Sequence, residues 1–220
     1  MKILLVCATP LESELIVSHF NIGLNHSSSL FHSSQSPVSL LITGVGMVNT
    51  AFSLGKFLND SYSYVINFGI CGAFHREIHI GEVLNIKTDT ISEMGAEDNL
   101  EFIPYDALNL TGTNRYFNNT ELKVKSLENV KSASAVTVNK IHGNKQSIDK
   151  LLKLYSPDAE SMEGAAFFRA MQDINIPYFQ IRAVSNYVEK RNKSNWDIPK
   201  AINSVTQKII ELTNELLSFH

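Results

Sequence analysis

Residues 3–8 form an unbroken apolar run, Ile-Leu-Leu-Val-Cys-Ala, that stops abruptly at Thr9-Pro10. A strand that is apolar on both faces must be covered on both, so the run predicts a largely parallel sheet between two helical layers. Similar runs follow at residues 38–43, 64–68 and 178–184, with strand patterns of smaller residues at 83–90 and 132–138. Helix signals fall between them. Thr9 as N-cap, Pro10 at the first helical position and Glu12 three residues after the cap make a capping box. Residues 51–58, 146–155 and 198–217 read as further helices, the second ended by Ser156-Pro157. This alternation predicts a three-layer α/β/α sandwich around a mostly parallel, mixed sheet, with residues 1–220 as one domain.

Composition narrows the partners. A net charge of −3 gives no case for nucleic acid or an anionic membrane surface. No apolar run approaches the ~20 residues that span a bilayer, and residues 3–6 are too short for a signal segment. Cys7 and Cys71 show no framework spacing, which predicts reduced thiols in a cytoplasmic protein. The sequons at Asn109 and Asn118 carry no meaning without secretion. His75 and His79 stand four apart, but Gly81 and the strand pattern after it place them in a loop, so no metal is expected. No cofactor is expected either.

Candidate functional residues fall where strands end, the rim on which open α/β sheets bind ligands. Residues 159–168 (Ala-Glu-Ser-Met-Glu-Gly-Ala-Ala-Phe-Phe) are predicted to open a helix running to Asp173, capped by Asp158 or Ser161. Phe167, Ala170, Met171 and Ile174 mark its apolar face, and stepping that face backwards reaches Glu163 and then Glu160. An acid at a helix N-terminus stays ionised and can accept a ligand's hydroxyls, although ordinary first-turn acid preference accounts for it as well. Glycine inside a helix costs about 1 kcal/mol against alanine, so Gly164 implies a close approach to the backbone. Glu12 has two readings, a helix cap and a ligand-facing carboxylate at a strand end. Gly44-Val45-Gly46 follows a strand, but Asn49 stands where a dinucleotide fingerprint needs its third glycine. Gly69-Ile70-Cys71-Gly72 reads as a second glycine turn, and Ser185-Asn186-Tyr187 closes the last strand. Residues 21–37 and 93–98 read as loops, the first with a hairpin edge. Residues 99–129 carry the least pattern, with Tyr105, Arg115, Tyr116 and Phe117 able to line a pocket or an interface.

Five blocks together carry a resemblance: residues 8–12, 43–46, 67–72, 160–165 and 182–186. In them the chain resembles the purine nucleoside phosphorylase and nucleosidase superfamily, on the branch of methylthioadenosine/S-adenosylhomocysteine nucleosidases. Residues 93–98, 136–139 and 185–192 look most like the futalosine hydrolases of that branch, which release hypoxanthine and dehypoxanthine futalosine on a menaquinone route.

The resemblance implies cleavage of an N-ribosidic bond through an oxocarbenium-like sugar. That chemistry needs a base for water, acceptors for the ribose and a polar group for the departing purine. Glu12 matches the water-activating carboxylate, Glu163 the ribose-binding one and Met162 the contact beneath the sugar. Ala8, Gly46 and Ser161 fall with them as substrate-binding positions. Ile70, Cys71 and Gly72 match the backbone beneath the base, and Ile141 the residue packing on it. Asn186 stands where adenine-releasing members carry aspartate. Its amide N–H can meet a 6-oxo oxygen and its carbonyl a protonated N7, which fits hypoxanthine; a flipped amide would serve adenine. The N7 proton is left without an evident donor. Arg76 near the glycines keeps a phosphate-using phosphorylase open. The resemblance also implies a homodimer or larger homo-oligomer, with apolar residues near Met47 or Tyr105 as candidates for its contacts.

Overall fold

The computed structural model describes residues 1–25 and 28–219, so His26 and Ser27 of the 21–37 loop lie outside the described residues. In chain order, the first half comprises β1 (Ile3–Cys7), α1 (Pro10–His19), β2 (Leu30–His32), β3 (Val38–Ile42), α2 (Met47–Phe57), β4 (Tyr64–Ala73) and β5 (Val83–Ile91). There follow β6 (Gly95–Asp98), β7 (Glu101–Pro104), β8 (Arg115–Phe117), β9 (Lys131–Thr137), α3 (Lys145–Tyr155), β10 (Ala159–Ser161), α4 (Gly164–Met171), β11 (Tyr178–Tyr187) and α5 (Ile198–Leu217).

β1 lies inside the sheet, parallel to β3 on one side and β4 on the other. Its residues alternate between two cores. Ile3, Leu5 and Cys7 pack with Ile16 of α1 and with Val205, Ile209 and Leu212 of α5. Leu4 and Val6 pack with Leu54 of α2 and with Phe167, Phe168 and Met171 of α4. A strand buried on both faces between two helical layers is the three-layer sandwich that residues 3–8 predict. The sheet runs β10-β9-β5-β11-β4-β1-β3-β2, and it is mixed because β11–β5 and β2–β3 are antiparallel. β10 also pairs with β4, setting Glu160 opposite Gly72. That extra pairing closes β10, β9, β5, β11 and β4 into a ring and brings two distant segments to one rim.

Three local expectations change. Residues 159–161 are strand, because they are sandwiched between β9 and β4; the helix begins only at Gly164. Gly69–Gly72 is not a turn: β4 continues through Ala73, pairing with β11 across a bulge between Val184 and Asn186. Residues 95–98 are not loop but half of a hairpin with β7, with Asn99 at φ 56° in its turn. Gly44 and Gly46, by contrast, are turn glycines with φ of 87° and 96°, a region that favours glycine.

Candidate active site

Glu12 unites its two sequence readings. The capping box forms: Glu12 N–H donates to Thr9 Oγ1 at 3.3 Å and Thr9 N–H to Glu12 Oε2 at 3.0 Å. The other carboxylate oxygen, Oε1, accepts from the Ile70 N–H of β4 at 3.2 Å. One side chain therefore caps α1 and reaches across the end of the neighbouring strand. Burial raises the Glu12 pKa above the usual carboxylate range, and the charge of Glu163 raises it further. Arg182, Thr9 and Ile70 offset part of that rise. Gly69 explains how the charges fit: a Cβ there would lie 2.5 Å from Glu12 Oε1 and 2.7 Å from Arg182 Nη1. Both groups close over a position that only hydrogen can occupy.

Glu163 is the N-cap of α4 but makes no capping bond to its own helix. Its Oε1 turns outward and accepts from the Gly46 N–H at 2.9 Å, joining α4 to the turn before α2. Among the described residues nothing donates to its Oε2. Ala8 secures the same turn, its carbonyl accepting from Gly44 N–H at 3.0 Å. Met162 is half-buried beside Glu163, and the Ser161 hydroxyl is buried without a partner among the described residues.

The close approach implied at Gly164 comes from the protein's own core. A Cβ there would sit 2.0 Å from Asp89 Oδ2 and 2.3 Å from Gln180 Oε1. Asp89 Oδ1 accepts from Thr137 Oγ1 at 2.7 Å, and that hydroxyl accepts from Ala165 N–H at 2.8 Å. Burial pushes Asp89 up to about 7. This buried chain pins the first turn of α4, and with it Glu163.

The second end of the site lies further along β4. A cavity of about 130 Å³ is lined by Gly72, Ile141, Glu160, Asn186, Val188 and Trp196, among others. Asn186 pairs with Gly72 in the β4–β11 ladder. Its Oδ1 accepts from Ser185 Oγ at 2.8 Å and its Nδ2 donates to Tyr187 O at 3.0 Å. Cys71 lies beneath this end, its thiol pushed up to about 12 by burial, and its carbonyl, 3.2 Å from Ser185 Oγ, shares that one hydroxyl hydrogen with Asn186 Oδ1. Ile70 and Gly72 are two residues apart, so the carboxylate end and the amide end stand roughly 7 Å apart along the strand.

A model of the phosphorylase superfamily matches residues 2–218. The chain belongs to the phosphorylase superfamily. It is 26% identical over 182 residues to futalosine hydrolase of Thermus thermophilus, covering 80% of each chain. It is 27% identical over 169 residues to 5′-methylthioadenosine/S-adenosylhomocysteine nucleosidase of Bacillus subtilis, covering 73% and 72%. Its fold superposes on futalosine hydrolase of Helicobacter pylori with a TM-score of 0.80 at 15% identity, covering 98% of each chain.

Within this superfamily fold, other expected residues have partners of their own. Arg76 pairs with Glu189 and stacks 4.0 Å from the Tyr187 ring centre. Tyr105 is buried with its hydroxyl donating to Thr111 O, and Tyr116 lines a separate groove between α2 and α4. Sequence reasoning gave no role to Arg182, a buried cation whose Nη2 donates to Asn67 Oδ1 at 2.5 Å; Asn67 Nδ2 in turn donates to Val6 O. The available signal was a charge in the middle of an apolar strand, since buried charges need partners.

Proposed function

We propose that this protein hydrolyses the N-ribosidic bond of a purine nucleoside, with futalosine as substrate, releasing hypoxanthine and dehypoxanthine futalosine for menaquinone biosynthesis. The observation that carries the proposal is that buried Glu12, bonded to Ile70 N–H of β4, stands close enough to buried Glu163 for that second charge to raise its proton affinity, with an amide roughly 7 Å further along β4. That span suits a sugar at one end and its base at the other. Glu12, with its raised proton affinity, takes a proton from water as the oxygen attacks the anomeric carbon. Glu163 accepts from the ribose hydroxyls through the oxygen that Gly46 does not hold. Met162 and Ser161 lie beside the sugar, and Ile70, Cys71, Gly72 and Ile141 around the base. With Asn186 Oδ1 accepting from Ser185 and Nδ2 on the Tyr187 carbonyl, the second amide hydrogen is the group that meets a 6-oxo oxygen. The similarity to futalosine hydrolase of T. thermophilus supports the same substrate.

Adenine release from methylthioadenosine or S-adenosylhomocysteine is the second reading, favoured by the similarity to the B. subtilis nucleosidase. Phosphorolysis is the less supported reading, because Arg76, the one cation the sequence suggests for phosphate, is engaged with Glu189 and the Tyr187 ring. We further propose a cytoplasmic homodimer that pairs through α2, where Val48 and Phe52 are 78% and 72% exposed. A product assay on inosine, futalosine and methylthioadenosine, with and without phosphate, tests the whole reading. Hypoxanthine from futalosine without phosphate is the expected result. Adenine from methylthioadenosine alone would favour the second reading, and obligatory phosphate would overturn hydrolysis.

A further inference from the structure

The cavity beside Asn186 contains a histidine that the reaction as described does not use. His142 follows Ile141 on the loop between β9 and α3, and its side chain is only 13% exposed. Glu160 of β10, itself 3% exposed at the side chain, accepts from His142 N–H at 2.9 Å through Oε1 and from the His142 ring at Nδ1 through Oε2. Both carboxylate oxygens are thus committed to one residue. The extra β10–β4 pairing sets Glu160 opposite Gly72, and Gly72 opposes Asn186 in the next ladder. Histidine, amide and glycine therefore border the same 130 Å³ cavity.

Imidazole chemistry then fixes what the ring can offer. In neutral histidine one ring nitrogen donates and the other accepts. A carboxylate can only accept, so a neutral ring places its N–H on Nδ1 and leaves Nε2 as the acceptor. Among the described residues nothing bonds to Nε2. The two purine classes differ on the edge such an acceptor meets. A 6-oxopurine carries N1–H, a donor, whereas a 6-aminopurine presents a bare N1 lone pair.

We infer that His142, held by Glu160, selects 6-oxopurines by accepting their N1–H at Nε2. This rests on the purine-nucleoside reading above. It adds a discrimination at N1 to the one the Asn186 amide makes at position 6. His142 is the specificity residue, and Glu160 is a positioning residue acting through it.

The test compares kcat/KM for futalosine and its 6-amino counterpart, substrates that differ only at purine position 6. For His142→Ala the 6-oxo:6-amino ratio is expected to fall roughly tenfold or more, mainly through loss on the 6-oxo substrate. Glu160→Ala should shift the ratio in the same direction, and Glu160→Gln, whose amide oxygen can still accept from Nδ1–H, should shift it less. A structural role alone would lower both substrates equally, and an unchanged ratio in active, folded variants would overturn the inference while leaving the nucleosidase reading intact. If the wild-type protein cleaves no purine nucleoside, that reading falls first and the inference with it. Should the variants fail to fold, ¹⁵N NMR of the wild-type imidazole decides: hypoxanthine should perturb His142 Nε2 and adenine should not, and an equal response to both overturns the proposal.

Discussion

Glu12 in α1 and Glu163 at the N-cap of α4 are more than nine-tenths buried, and each accepts through one carboxylate oxygen from a distant backbone N–H, Ile70 of β4 and Gly46 of the turn before α2. Asn186 stands near the end of β11, beyond its bulge, and His142 on a loop, and their side-chain partners are local or from the short strand β10. The carboxylate end is thus rigid and the amide end adaptable. Chemistry at an anomeric carbon tolerates little misplacement, because effective molarity depends on near-contact geometry. Choice among purines needs only a few replaceable hydrogen bonds. The contrast implies that substitutions at the first end cost rate, whereas those at the second redirect preference.

The sharpest way to break this comparison is Glu12→Gln. The capping bond can survive with the glutamine oxygen on Thr9 N–H, but the amide nitrogen cannot accept from Ile70 N–H and the proton acceptor is lost. Turnover should drop on the order of 10³-fold with an unfolding midpoint close to wild type; a loss below tenfold would remove Glu12 from the chemistry. Glu163→Gln should follow, with a fall of roughly 100-fold, because Gly46 keeps an oxygen partner while the charge facing the sugar is gone. At the amide end, Asn186→Asp should change the ratio of 6-oxo to 6-amino cleavage by about tenfold toward adenine. A uniform loss on both substrates would dissolve the distinction between the two ends.

The effect with the smallest consequence for turnover concerns what lies under Glu163. Asp89 is protonated in the fold up to about pH 7, whereas in the unfolded chain it ionises near pH 4. The folded protein therefore binds the extra proton between those values, and its stability declines as pH rises through that window. Asp89→Asn removes the decline and lets an amide N–H meet the unpartnered Gln180 Oε1. Relative to wild type it should gain on the order of 4 kcal/mol between pH 4 and pH 8, read from urea midpoints. Parallel pH curves would contradict the assignment.

The same contrast governs what was legible in the sequence. Thr9, Pro10 and Glu12 act within one helical turn, so local chemistry sufficed to read α1. The buried strands announced themselves by continuous apolarity. Glu163 was visible as an acid near a helix start, but its bond to Gly46 spans 117 positions and no local pattern encodes it. The acid spacing of Ala159-Glu160-Ser161 suits a first helical turn, but pairing to β9 and β4 overrides that preference. Gly69 and Gly72 looked like turn residues, yet they are strand positions whose missing side chains make room for Glu12 with Arg182, and for Val188 with Asn186. The tie from Asp89 to Thr137 likewise depends on the β5–β9 register, which exists only once the sheet has formed.

The central claim is that Glu12 delivers water, and not phosphate, to an anomeric carbon held by Glu163. Turnover of futalosine in H₂¹⁸O containing phosphate, followed by mass spectrometry of the sugar product, tests it directly. One ¹⁸O on the anomeric carbon and no sugar phosphate is the predicted result; an unlabelled ribose 1-phosphate product would contradict it.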